Sequence, residues 1–130
     1  ASDAASIFAA GDDLGRVLTR HQARDLTQSA RIALSTGTET TLLAGVAATF
    51  LDLLWITAAN NSDVAVSVDF RSGTAGDIEL TLQVPANSTT GAVFSGTPLK
   101  QEVVAGAWTA DMADITGTTV AITALFSKEV

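Results

Sequence analysis

Between Val64 and Val84 the sequence alternates twice with a period of two, and no other feature restricts the fold so tightly. Val64, Val66, Val68 and Phe70 fall on one side of the first run, with Ala65, Ser67, Asp69 and Arg71 on the other. Ile78, Leu80, Leu82 and Val84 repeat the pattern against Glu79, Thr81 and Gln83. A β-strand sends successive side chains to opposite faces, so each run offers one apolar face to a core and one polar face outward. Ser72-Gly-Thr-Ala-Gly76 supplies the turn between them. Pro85, which has no N–H for a ladder, ends the second run.

The rest of the chain extends this pattern. Leu26, Ala30, Ile32 and Leu34 alternate with polar neighbours, Ser35-Thr-Gly-Thr-Glu39 breaks the run, and Thr40-Thr-Leu-Leu-Ala44 resumes it. Phe50 to Ala59 is almost continuously apolar and closes on Asn60-Asn-Ser-Asp63, which predicts a central strand buried on both sides with Trp55 in the core. Asp52 within it reads as a carboxylate bonded to a loop or lying at a strand end, not as a catalytic group. Short β segments are expected at Gly91–Phe94 and Leu99–Val104, and a last strand from Thr118 to Ser127 with Val120, Ile122, Ala124 and Phe126 on one face. Strands about ten residues apart, separated by Gly, Asn and Ser turns, predict an all-β antiparallel β-sandwich of the jelly-roll or immunoglobulin-like kind. The sandwich should occupy residues 26–130, its strand order open, with Val66, Val68, Phe70, Leu80, Leu82, Ile122 and Phe126 buried.

Residues 1–25 break the pattern and read as an N-terminal extended arm with at most short helix. Residues 1–15 carry a charge of −3, residues 16–31 carry +3, and residues 32–130 carry −7. The basic segment holds Arg16, Arg20, Arg24 and Arg31 against Asp25. Arg16, Arg20 and Arg24 recur every four residues, which aligns them on one face of any helix there and suits docking on acidic groups of a partner. The whole chain is 47% apolar and only 16% charged, with a net charge of −7. Such a surface favours a homo-oligomer, and its sign disfavours direct nucleic-acid binding. No apolar run reaches the length of a membrane span, and no signal-peptide pattern is present, so no membrane partner is expected.

The residue inventory also restricts chemistry. The chain has no Cys and no Tyr, and its one His is His21 in the arm, which removes thiolate zinc sites, cysteine nucleophiles and most acid–base candidates. The glycines lie between strands and form no phosphate-cradling loop. Asp111 and Asp114 are two carboxylates without further ligands at fixed spacing, and a solvated loop is expected there in place of a calcium site. Asn60-Asn-Ser62 and Asn87-Ser-Thr89 match a glycosylation triplet without a secretory context. No catalytic residue, cofactor or metal is expected. Trp108, next to Ala105-Gly-Ala107, reads as a core residue or as an interface anchor.

Residues 30–130 resemble small β-sandwich virion proteins of tailed bacteriophages, found as head decoration or other accessory structural proteins. The likeness lies in the order of a threonine-rich lead-in (Thr36-Gly-Thr-Glu-Thr-Thr-Leu-Leu43), Leu54-Trp-Ile-Thr-Ala-Ala59, Asp63-Val-Ala-Val-Ser-Val-Asp-Phe-Arg-Ser-Gly73, Leu82-Gln-Val-Pro-Ala-Asn87, a later Trp and a final strand. It implies a non-enzymatic capsid decoration (cement) protein located in the virion. Its copies would self-associate, as a trimer in the first instance, and bind the major capsid protein or another virion protein. A tail or head–tail connector component and a carbohydrate-binding module are the alternatives. An enzyme is a distant third.

Overall fold

The computed structural model describes residues 26–94, 96–113, 115 and 119–129. Eight strands follow one another along them: β1 (Thr27–Leu34), β2 (Thr40–Leu43), β3 (Phe50–Asn60), β4 (Val66–Ser72), β5 (Ile78–Val84), β6 (Thr89–Val93), β7 (Trp108–Met112) and β8 (Val120–Glu129). They pair as a long hairpin folded over on itself, β1 with β8, β2 with β7, β3 with β6 and β4 with β5. Further β3–β8 and β4–β7 ladders join these pairs into two antiparallel sheets, ordered β1-β8-β3-β6 and β2-β7-β4-β5. This is the jelly-roll arrangement, and it decides between the two sandwich types that the sequence leaves open. The arm expected over residues 1–25 lies outside the described residues.

The two inner faces make the core. Val66, Val68, Phe70, Leu82, Ile122 and Phe126 are buried, as their period-two positions require, whereas Leu80 on the edge strand β5 is half-buried. Each fully buried Leu, Ile, Val or Phe contributes about 1.5–3 kcal/mol relative to exposure. Trp108 is completely buried: its ring lies 5.4 Å from that of Phe126 at 44°, and its Nε1–H donates to the Leu51 carbonyl at 2.7 Å. Of its two sequence readings, the core one holds, and in this fold Trp108 is not available as an interface anchor.

Several other expectations need correction. Trp55 is half-buried on the outer side of its sheet, because the register shifts between Leu53 and Trp55. Leu51 and Leu53 point inward before this bulge, and Ile56 and Ala58 point inward after it. One extra residue reverses the side on which every later position falls. β3 is therefore central in its sheet but, among the described residues, covered on one side only. Val64 is 56% exposed, because β4 begins at Val66. Leu26 is also exposed. Leu99 makes only an isolated bridge to Leu53, and Val103 and Val104 lie exposed in the loop that follows. The stretch around Asp111, expected as a loop, is strand β7, and the last strand runs from Val120 to Glu129.

Buried amides hold the connections at both ends. The Asn60 side chain, 2% exposed, donates to the Val64 carbonyl at 2.8 Å and accepts from the Ser62 N–H at 2.9 Å, which fixes the crossing from β3 to β4. An asparagine so enclosed is not a glycan acceptor. At the other end Gln101 is buried, accepting from the Leu51 N–H at 2.7 Å and donating to the Gly106 carbonyl at 2.7 Å. The Gln101 N–H donates to Asp52 Oδ1 at 2.8 Å, so Asp52 has the loop-bonding role expected of it.

Candidate interaction surface

The two sheets present outward faces of opposite chemistry. Outward positions of the β2-β7-β4-β5 sheet carry Thr109 and Asp111, then Ser67, Asp69 and Arg71, then Glu79, Thr81 and Gln83. These side chains bond to one another. Directly opposed across β4 and β5, Thr81 Oγ1 donates to Asp69 Oδ1 at 2.7 Å and Ser67 Oγ donates to Gln83 Oε1 at 2.7 Å. Such cross-strand pairs are the stabilising unit of a sheet surface. Arg71 donates to the Gly76 carbonyl at 2.8 Å and pairs with Asp111 at 3.5 Å.

Glu39, just before β2, closes this network. Its carboxylate accepts from the Thr109 hydroxyl and, through each oxygen at 3.0 Å, from the Ala75 N–H. Ala75 sits at φ +57°, a left-handed conformation costly for a residue with a Cβ, so Glu39 clamps a strained turn between β4 and β5. The Thr109 hydrogen bond, then the Ala75 N–H, hold the Glu39 carboxyl below its ordinary range against a small desolvation effect, and the Arg71 charge adds to them. Glu79 is shifted the other way, upward, first by burial and then by the hydrogen bond and charge of Glu102 and the charge of Asp77. Glu39, Asp69 and Asp111 are thus occupied in holding strands or turns together, whereas Glu79 keeps one buried oxygen without a partner.

The outward face of the β1-β8-β3-β6 sheet has another character. The registers align it in three rows: Ser29, Leu125, Trp55, Val93; then Arg31, Thr123, Thr57, Gly91; then Ala33, Ala121, Ala59, Thr89. Arg31, exposed at the β1 edge, is the single charge in these three rows; the outward carboxylates of this sheet, Asp52 and Glu129, lie beyond the Trp55 row, where β3 begins and β8 ends. None of these side chains hydrogen-bonds to another described residue. Val93 is 74% exposed, and Trp55 and Leu125 are half-buried beside it. With strands about 4.8 Å apart and rows about 6.8 Å apart, the face covers roughly 400 Å². Half of its twelve positions are apolar, Trp55, Val93, Leu125, Ala33, Ala59 and Ala121, and the other half are Ser, Thr, Gly or Arg.

Of the arginines singled out in the sequence, Arg31 is thus placed on this face, while Arg16, Arg20 and Arg24 lie outside the described residues, as does His21. Asp111 is paired to Arg71 and Asp114 lies outside the described residues. Among the described residues no three metal-ligating side chains cluster. The sequence reading missed the neutral face because its residues come from four strands distant in sequence. The visible trace of it was β3 itself, apolar on both of its sides.

No protein-family model matches the chain, and no curated protein matches it in sequence. Solved structures similar to it include PirA (TM-score 0.44, 8% identity, 83% of this chain and 97% of that one). A chain from the disulfide-linked pili of Bacillus endospore appendages is similar with TM-score 0.44 and 11% identity, over 86% of this chain and 97% of that one. A chain of infectious bursal disease virus strain Gx is similar with TM-score 0.26 and 16% identity, over 94% of this chain and 44% of that one.

Proposed function

We propose that the protein is a non-enzymatic structural component of a virion, specifically a decoration (cement) protein of a tailed-bacteriophage head. The observation that carries the structural part of this reading is the contrast between the two outward faces. Charged side chains on one, Glu79 excepted, are engaged in bonds that hold the fold, and the other carries three rows with Arg31 as their one charge, suited to covering by protein. The head assignment rests on the resemblance of residues 30–130 to virion decoration proteins. In this role Arg16, Arg20, Arg24 and Arg31 dock on acidic groups of the major capsid protein. The mechanism is mass action: a ligand that binds only the assembled lattice stabilises it, and contacts repeated by symmetry give avidity without one tight site.

Particle binding by the full chain tests the reading. The chain should co-sediment with phage heads, less so as salt rises, and joint replacement of Arg16, Arg20 and Arg24 by Ser should abolish most of the binding. Exposed pairs are individually worth about 0–1 kcal/mol, so only the joint change is informative. Electron microscopy should place the chain at repeated sites on the outer head surface. Density confined to the tail or the connector would overturn the decoration role, and specific binding on a glycan array in place of heads would favour a carbohydrate-binding module.

A further inference from the structure

We infer that the neutral outward face of the β1-β8-β3-β6 sheet is a homotypic contact that packs against the same face of a second copy. Three observations lead there. The first is β3, whose outward side is mostly apolar, Asp52 and Thr57 excepted, yet among the described residues only its inner side is covered. Its outward Trp55 and Ala59, with Leu125 and Ala121 of β8 and Val93 of β6, have no cover among the described residues.

The second is charge. Copies of a chain with net charge −7 repel, so a stable contact must keep the acids apart. Asp69, Glu79 and Asp111 lie on the opposite sheet, while Asp52 and Glu129 lie beyond the Trp55 row at one end of this one, outside the three rows. Stacking neutral face on neutral face at a sheet spacing of about 10 Å leaves the two acidic faces about 30 Å apart. That is several times the roughly 8 Å Debye length of physiological salt. Stacking by the acidic faces would oppose carboxylates directly.

The third is shape. The large row, Leu125, Trp55 and Val93, and the small row, Ala121, Ala59 and Thr89, lie on either side of the Thr123–Thr57 row. A two-fold axis lying in the contact plane along that middle row turns the copies end for end and sets each large row on the other's small row. Arg31 then approaches its own counterpart at the β1 edge, where both remain solvated. An isologous contact of this kind closes at two copies. A pair of such faces amounts to roughly 800 Å² before side-chain relief, below the roughly 1,200 Å² at which stable specific interfaces begin, so the pair is weak and should dissociate on dilution.

Thiol protection in the full-length protein tests this, because the chain has no native cysteine. Thr57→Cys is nearly isosteric and places a thiol at the centre of the face; Ser67→Cys places one on the opposite sheet. Alkylation of the first should slow several-fold as protein concentration rises, in step with a sedimentation shift from one copy to two, while the second reacts at a constant rate. Val93→Asp, at a highly exposed edge position, should hold the protein as a folded monomer. Two results overturn the inference: a monomer whose Thr57→Cys thiol reacts as fast as that of Ser67→Cys at every concentration, or one whose thiol is slow at every concentration, which would mean that the chain covers its own face. Head binding measured on the same samples keeps the proposed function separate. A monomer that binds heads refutes only the pairing, and a pair that does not bind heads refutes only the decoration role.

Discussion

The outward faces of the two sheets differ although the sheets bury equivalent inner faces. On β4 and β5, apolar inward residues alternate with Ser, Asp, Arg, Glu, Thr and Gln, which bond across the strands. Over the three rows of β3 and β8 they alternate with Trp, Thr, Ala and Leu, which bond to nothing described; the bonded Asp52, Ser127 and Glu129 lie beyond these rows. A chain with 16% charged residues cannot clothe both faces, and this one concentrates its charge where it also stabilises the fold. One sheet is finished as it stands, and in the pairing inferred above a second copy finishes the other.

The largest expected effects test whether the inner faces are in fact equivalent. Phe126→Ala, beneath the neutral face, and Phe70→Ala, beneath the charged one, should each cost about 3–5 kcal/mol in urea unfolding. A much smaller loss at Phe126 would mean that the neutral sheet is loosely packed and that its outward face reflects poor order, not a partner. Trp108→Phe should cost roughly 1–3 kcal/mol, since it leaves the buried Leu51 carbonyl without its donor.

Next in size are changes on the charged face. Glu39→Gln should cost roughly 1 kcal/mol by weakening the bonds to Thr109 and Ala75. Its pH dependence has a definite sign. Because the folded pKa of Glu39 lies below the ordinary 4.5, its stabilising contribution is complete above 4.5 and is lost as pH falls through the folded value. Glu39→Gln should therefore flatten the acid limb of the stability curve. Glu79 acts oppositely: its raised pKa makes ionisation unfavourable in the fold as pH climbs above 4.5, so Glu79→Gln should be stabilising at neutral pH. Thermal melts across the acid range check both signs. On the neutral face the expected stability effects are smallest. Thr57→Arg should shift unfolding by no more than about 0.5 kcal/mol while abolishing self-association.

Sequence periodicity revealed one half of this comparison better than the other. Val66, Val68, Phe70, Leu82, Ile122 and Phe126 are buried because a single polar-apolar alternation identifies an inner face. Trp55 was not legible, since a one-residue bulge leaves no compositional mark yet exchanges inside for outside. β7 is hard to read from the sequence although Trp108, Ala110 and Met112 alternate with Thr109 and Asp111, because five residues containing an aspartate resemble a loop. Over Leu99–Val104 the apolar residues suggested a strand, but Gln101 turns inward to bond Leu51 and Gly106 and the chain bends around it. The Glu39 clamp and the three neutral rows depend on pairings between distant strands, which local patterning does not specify.

Tryptophan emission addresses the central claim most directly, because the chain has two tryptophans and the fold separates them. Trp108 is fully buried, whereas Trp55 lies half-buried on the neutral face, so a change in acrylamide quenching with concentration reports on Trp55. Quenching of the intact chain should rise and its emission shift to the red on dilution, reaching the values that Thr57→Arg shows at every concentration. Identical quenching of the intact chain and Thr57→Arg throughout would show that no second copy covers this face.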